Sequence, residues 1–193
     1  MLSHAQLDAV AHHQGYTALL ERVLISEEQL RQRVAELAEQ ISRDYAGRTP
    51  LLVCILRGGV MFLTDLMKHL TVPHHVDFMA VSSYGVGARA TRGQPRITLD
   101  LNTDVRDRHV LLVEDIIDSG HTIDHVLRLL QTREPASLRV CALLDKPARR
   151  EVYVPITYLG FEIPDEFVFG YGLDLDEYFR NLPFIGVVKK EYQ

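Results

Sequence analysis

Residues 110–122, VLLVEDIIDSGHT, set Glu114, Asp115 and Asp118 straight after four apolar residues and then break at Ser119-Gly120, with Asp124 close behind. Like charges at the end of a buried segment repel one another and lose hydration, so grouping them is costly unless a bound partner makes use of them. Two kinds of partner suit this order of residues. A glycine turn that opens a helix presents unpaired backbone N–H groups and the positive end of the helix dipole, so Ser119, Gly120, His121 and Thr122 offer a seat for an anion such as a monophosphate. The Ser119 and Thr122 hydroxyls add two more donors. The carboxylates just ahead need sugar hydroxyls, a divalent metal, or both. A phosphorylated sugar satisfies both halves. The plainer alternative, in which Glu114, Asp115 and Asp118 are solvated turn residues and Asp118-Ser119-Gly120 only caps a helix, is disfavoured by the apolar run that abuts the acidic pair.

Such a cluster must be held by a strand before it and a helix after it, and the chain supplies that order more than once. Ser26 and Gln29 have the S-x-x-Q form of a capping box, and Leu30, Val34, Leu37, Ile41 and Tyr45 then recur at helical spacing until Gly47. LLVCIL (51–56) is a continuous apolar run bounded by Pro50 and Arg57-Gly58-Gly59, as expected of a strand covered on both faces. Val60, Leu63, Met67 and Leu70 predict a helix that ends before Pro73, and VDFMAVSSY (76–84) predicts a further strand. HVLLVEDII as a strand, a helix from Thr122 to Gln131 and SLRVCALL as a strand repeat the pattern. The alternation predicts an α/β fold with a mainly parallel central sheet and helices on both faces, binding ligands at the carboxyl ends of its strands. One domain over residues 1–193 is expected, with a core at about 30–150. The first 25 residues and 151–193, rich in Tyr, Phe and short β-like runs, are expected as a small hood beside the sheet.

Bulk properties narrow the function classes. The 193 residues suffice for one proper core, and 47% hydrophobic against 24% charged composition leaves little room for disorder. A net charge of −5 argues against general nucleic-acid binding, and no apolar run approaches membrane-spanning length, so a cytoplasmic protein is expected. Cys54 and Cys141 sit in apolar runs without C-x-x-C spacing, and the adjacent pairs His12-His13 and His74-His75 do not form a zinc-binding helix face. Gly85 to Ala90 fits the loose G-x-G-x-x-A dinucleotide pattern, but TRGQPRITL follows where the binding helix should start. There is no P-loop sequence. A phospho-receiver module also has an acidic pair and a later Lys-Pro, but it needs another strand between them, and only one helix fits between Asp115 and Lys146.

VEDIIDSGHT resembles the phosphoribosyl-pyrophosphate signature of the type I phosphoribosyltransferases, and Asp118 points to their 6-oxopurine branch, the hypoxanthine-guanine phosphoribosyltransferases. LRGG (56–59), SSYG (82–85), LLDKP (143–147), GFEIPDEFVFGYGLD (160–174) and YFRNLP (178–183) extend the likeness in order over about residues 50–190. The resemblance implies purine salvage: transfer of ribose 5-phosphate from phosphoribosyl pyrophosphate to N9 of hypoxanthine or guanine, giving IMP or GMP and pyrophosphate, with Mg²⁺. It also implies roles. Glu114 and Asp115 would take the ribose hydroxyls and, with Asp174, the metal. Asp118 would be the general acid or base at the purine N7, and residues 118–122 would wrap the 5′-phosphate. Leu56, Arg57, Gly58, Ser83, Tyr84 and Arg180 would meet pyrophosphate, with a cis Leu56–Arg57 peptide and residues 82–93 as a closing lid. Lys146 would donate to the purine O6, Phe167 would stack on the ring, and the Val168 backbone would meet the 2-position edge.

For several of these the residues alone leave other readings open. Lys146 reads equally as a solvent-facing lysine, Phe167 and Val168 as core residues, and Asp174 and Arg180 as surface charges. Arg57 and His121 stand where well-known members often carry Lys, which leaves pyrophosphate affinity and its pH dependence open. Xanthine preference and an RNA-binding, nucleotide-sensing regulator on the same fold are the alternatives, and a homodimer or homotetramer is expected from the resemblance alone.

Overall fold

The computed structural model describes residues 8–10, 12, 15–82 and 96–192. Its first well-formed helix, α1 (Glu27–Asp44), starts at the expected capping box: Gln29 N–H donates to Ser26 Oγ, and the Gln29 side chain accepts from Ser26 N–H. Leu30, Val34, Leu37 and Ile41 are all buried, so the apolar stripe is the packed face.

Six strands form the central sheet: β2 (Leu51–Leu56), β3 (His75–Ser82), β4 (Arg96–Leu99), β5 (His109–Ile117), β6 (Ser137–Asp145) and β7 (Ile156–Glu162). Their spatial order is β4-β3-β2-β5-β6-β7, parallel except for the antiparallel edge β4. Strand periodicity sorts their side chains between two cores. Leu52, Cys54, Leu111 and Val113 join the cluster that packs on α1 and α2 (Val60–His69), whereas Leu51, Val53, Val110 and Leu112 join the cluster that packs on α3 (His121–Gln131). Because both faces carry helices, the strands had to be apolar throughout, which is how they read in the sequence.

β1 (Leu20–Ile25) pairs antiparallel with β9 (Ile185–Val188), which also pairs with the short β8 (Val168–Phe169), giving a three-stranded sheet from the two ends of the chain. This matches the hood in place but not in extent. Residues 156–162, expected within it, pair in parallel with β6 and close the main sheet instead. β4 was unexpected, because RITL is too short to signal a strand without the neighbour that pairs with it. α3 begins at His121, one residue before its expected start. Both cysteines are free and buried.

Candidate active site

At the carboxyl ends of β2 and β5 lies a cavity of about 510 Å³, walled by Leu56 at the end of β2 and Arg57 and Gly58 in the turn after it, by 114–120 from β5 and its following turn, by Thr122 at the start of α3, and by Leu173 and Asp174 near the C-terminus. Of the expected residues, Glu114, Asp115, Asp118, Ser119, Gly120 and Thr122 thus face one space with Leu56, Arg57, Gly58 and Asp174. Parallel pairing of β2 with β5 does this for the first two walls: segments more than fifty residues apart meet because their strands are neighbours. A second depression of about 400 Å³, formed by 101–106 with Thr132 and Arg133 at the other end of α3, contains none of these groups.

Glu114 is only 7% exposed, and its Oε2 is buried with no hydrogen-bond partner. Burial first, and the neighbouring Asp115 charge second, push its carboxyl well above the ordinary range. Asp115 is pushed up to about 6, also chiefly by burial, although Ile116 N–H donates to its Oδ1 at 2.8 Å and Arg180 pulls the other way. Beneath them the Cys54 thiol is pushed up to about 12 by burial and by both carboxylates. An acceptor stripped of water and given no donor has its capacity in reserve for a ligand.

The two turns fit this wall through glycines. A Cβ on Gly58 would lie 1.5 Å from Asp115 Oδ2, so only glycine lets the first turn press against that carboxylate. Gly120 caps α3 at φ 92, a left-handed conformation, and the first helical bond runs from Asp124 N–H to its carbonyl at 2.9 Å. The helix N-terminus therefore points into the cavity beside Ser119 and Thr122, as an anion seat requires. The His121 side chain is not on that wall: Nε2 lies 2.9 Å from Glu151 in an exposed pair. The Leu56–Arg57 peptide is cis, as the resemblance implied.

Asp118 Oδ1 lies 2.9 Å from Arg149 Nε, an ion pair whose angle does not make a hydrogen bond. Arg150 clamps the same turn: its Nε donates to Asp118 O at 3.1 Å, its Nη2 to Ile117 O at 3.4 Å, and it pairs with the Asp145 carboxylate. Sequence reasoning gave Arg149 and Arg150 no part in the site, and no local pattern assigns them one.

None of the purine-side residues lines the cavity, and Lys146 alone adjoins it, through Ile117. Lys146 is 6% exposed at the end of β6, with its N–H donating to Ile117 O at 3.0 Å, so it is not the solvent-facing lysine of the plainer reading. Phe167 is 46% exposed and is not a core residue, whereas Val168 is buried on β8. Asp174 Oδ1 is 2.8 Å from Arg180 Nη2, and Arg180 Nη1 donates to Gly172 O at 2.9 Å, so both are tied down and are not loose surface charges. Ser83, Tyr84 and the remainder of the expected lid lie outside the described residues.

Among the described residues no three His, Cys, Asp or Glu side chains converge tightly enough to enclose an ion. Glu114, Asp115 and Asp174 are therefore no closed metal cage. Mg²⁺ keeps several waters and is usually held by one or two carboxylates plus substrate phosphates, so an open acidic wall with an unpartnered Glu114 oxygen fits an ion that arrives with its substrate.

A parallel sheet with a carboxylate strand end, a phosphate-shaped helix start and a glycine turn facing both defines a sugar-phosphate transfer site. The phosphoribosyl transferase domain family matches residues 25–176, and the chain belongs to that family. Over 168 residues it is 51% identical to the hypoxanthine phosphoribosyltransferase of Salmonella typhimurium, covering 86% of this chain and 94% of the relative. A crystal structure of a Staphylococcus aureus hypoxanthine phosphoribosyltransferase superposes with TM-score 0.86 at 42% identity, covering 93% of this chain and 97% of that one. A Bacillus anthracis hypoxanthine-guanine phosphoribosyltransferase does so with TM-score 0.82 at 40% identity, covering 88% and 98%.

Proposed function

We propose that the protein transfers the ribose 5-phosphate group of phosphoribosyl pyrophosphate to N9 of hypoxanthine or guanine, releasing pyrophosphate in purine salvage. The observation that carries this reading is that Glu114, with one buried oxygen left without a partner, lines the same cavity as the Ser119, Gly120 and Thr122 end of α3. The relatives' names supply the purine.

In this reading Thr122, Ser119 and the N–H groups at the start of α3 hold the 5′-phosphate, and Glu114 and Asp115 accept from the ribose 2′ and 3′ hydroxyls. As the bond to pyrophosphate lengthens, positive charge grows on the ribose ring, and the two carboxylates beneath it favour that charge over the neutral ground state. Asp118, whose carboxylate is held at the cavity mouth by Arg149, manages the proton at the purine N7. Lys146 donates to O6, which favours an oxo group over the amino group of adenine, while exposed Phe167 covers the ring and the Val168 backbone meets its 2-position edge. Arg57 and Arg180, with the Leu56 and Gly58 backbone, receive pyrophosphate, and Ser83 and Tyr84 are assigned to its far side from the resemblance. Mg²⁺ would be held by Glu114, Asp115 and Asp174 together with the diphosphate, and it supplies charge neutralisation of the leaving group.

Assembly as a homodimer or homotetramer and a cytoplasmic location belong to the same reading; among the described residues no helix is long and apolar enough to cross a membrane. The xanthine-preferring and RNA-binding alternatives gain nothing from relatives named as hypoxanthine enzymes. A spectrophotometric assay with phosphoribosyl pyrophosphate, Mg²⁺ and hypoxanthine, guanine, xanthine or adenine in turn decides among them. Turnover of the first two is expected, and turnover of xanthine alone or of no base would overturn the proposal.

A further inference from the structure

On the phosphoribosyl-transfer reading above, we propose that Glu177 stands in for a pyrophosphate oxygen between Arg57 and Arg180, so that incoming pyrophosphate must displace it and departing pyrophosphate is replaced by it. A single oxygen, Glu177 Oε2, serves both guanidinium groups: it pairs with Arg57 Nη1 and lies 3.3 Å from Arg180 Nη2. Arg57, from the turn after β2, lines the cavity beside Gly58, Asp115 and Asp174, and Arg180, from the C-terminal segment, adjoins that wall through its ion pair with Asp174. One anionic oxygen bridging two guanidiniums is the geometry a phosphate oxygen would adopt there.

Glu177 reaches this place from an unusual backbone. Leu175 and Tyr178 pair across a two-residue hairpin whose central residues, Asp176 and Glu177, have φ 54 and φ 73. Such turns favour Asn and Gly at both positions, because a side chain is disfavoured in the left-handed region. A glutamate kept there points to a use for its side chain.

The bridge is also built to open. Arg57 and Glu177 are both well exposed, and exposed ion pairs are weak, so a multiply charged anion outcompetes one carboxylate. Arg180 stays in place when Glu177 leaves, because Asp174 and the Gly172 carbonyl hold it independently. Arg57 is then the arm that changes partner. Glu177 is a positioning residue: it keeps the arginines facing the site and lowers affinity for the product that has to leave.

Calorimetric titration of inorganic pyrophosphate with Mg²⁺ into wild type, Glu177→Gln and Glu177→Gly tests this, the glycine variant being well suited to the left-handed turn. Both variants are expected to bind pyrophosphate about three- to tenfold more tightly, the scale of one or two exposed ion contacts. Affinity for IMP, which lacks the diphosphate, should be unchanged, and in an Arg57→Gln background the effect of Glu177→Gln should shrink to the part carried by Arg180. Unchanged or weaker pyrophosphate binding in both variants would overturn the proposal, as would equal tightening towards IMP, which marks a general charge effect. A wild-type protein that neither binds pyrophosphate nor turns over hypoxanthine would defeat the functional reading itself.

Discussion

Neighbouring strands β5 and β6 each carry a carboxylate buried to nearly the same degree, Glu114 at 7% and Asp145 at 8% exposure, but they are treated in opposite ways. Asp145 faces the guanidinium of Arg150, which also binds the carbonyls of Ile117 and Asp118 and so ties β6 to the turn after β5. Glu114 has an oxygen with no donor, next to a second carboxylate. The fold gives a countercharge to the carboxylate that holds it together and none to the carboxyl that lines the cavity. Burial alone therefore does not mark a functional acid; burial without a countercharge does.

That contrast predicts which variants lose activity and which lose stability. Asp118→Ala should lower kcat by about 10² to 10⁴, the range of a lost general acid or base. Its unfolding midpoint should barely move, since the exposed Arg149 partner contributes less than about 1 kcal/mol. Arg150→Ala should do the reverse and cost about 3–5 kcal/mol in urea unfolding, because it strands Asp145 as a buried, unpaired charge. A well-folded Arg150→Ala protein of wild-type stability would erase the distinction.

Glu114→Gln is the more discriminating substitution. Replacing an acid whose charged form burial already disfavours should leave stability equal to or above wild type, while kcat/KM for phosphoribosyl pyrophosphate falls about 10- to 100-fold, as for one lost charged hydrogen bond to the ribose. If stability drops instead, Glu114 is a structural group like Asp145.

The smallest expected effect is a pH dependence at Asp115. Its carboxyl is raised from 3.8 to about 6 by burial, so the unfolded chain ionises this group before the folded chain does. Its contribution to stability is then complete below about pH 4 and is lost as pH rises through about 6. Urea midpoints of Asp115→Asn relative to wild type should climb across that window and level off above it. Wild-type kcat/KM for phosphoribosyl pyrophosphate should fall as pH drops through about 6, because the protonated acid accepts fewer hydrogen bonds; an activity flat to pH 5 would remove Asp115 from the ribose site.

The parts of the fold that were legible in the sequence are those governed by local pattern. The capping box at Ser26 and Gln29, the apolar runs of β2 and β5, and the glycine turn into α3 each carry their own signal within ten or so residues. β4 and the assignment of β7 to the main sheet were not legible, because a four-residue edge strand and a strand among aromatic runs take their identity from the neighbour they pair with. In the site, the carboxylates and the glycine turn that line the cavity were readable from the residues themselves. The cis peptide, Lys146 and Phe167 came only through the family likeness. Arg149, Arg150 and Glu177 were invisible to both, since their partners lie up to 120 residues away and a charged residue in a polar stretch has no pattern of its own.

Asp174, Glu177 and Arg180 ride on a short stretch near the C-terminus whose backbone bonds, Gly170 N–H to Leu173 O, Gly172 N–H to Arg180 O and Tyr171 N–H to Leu182 O, stay within that stretch. None of those bonds belongs to the parallel strands, so a protease nick between 173 and 182 would silence the enzyme while the sheet kept its circular-dichroism signature and its cooperative melt. Loss of catalysis in an ageing preparation would then report on this flap of chain well before any loss of fold.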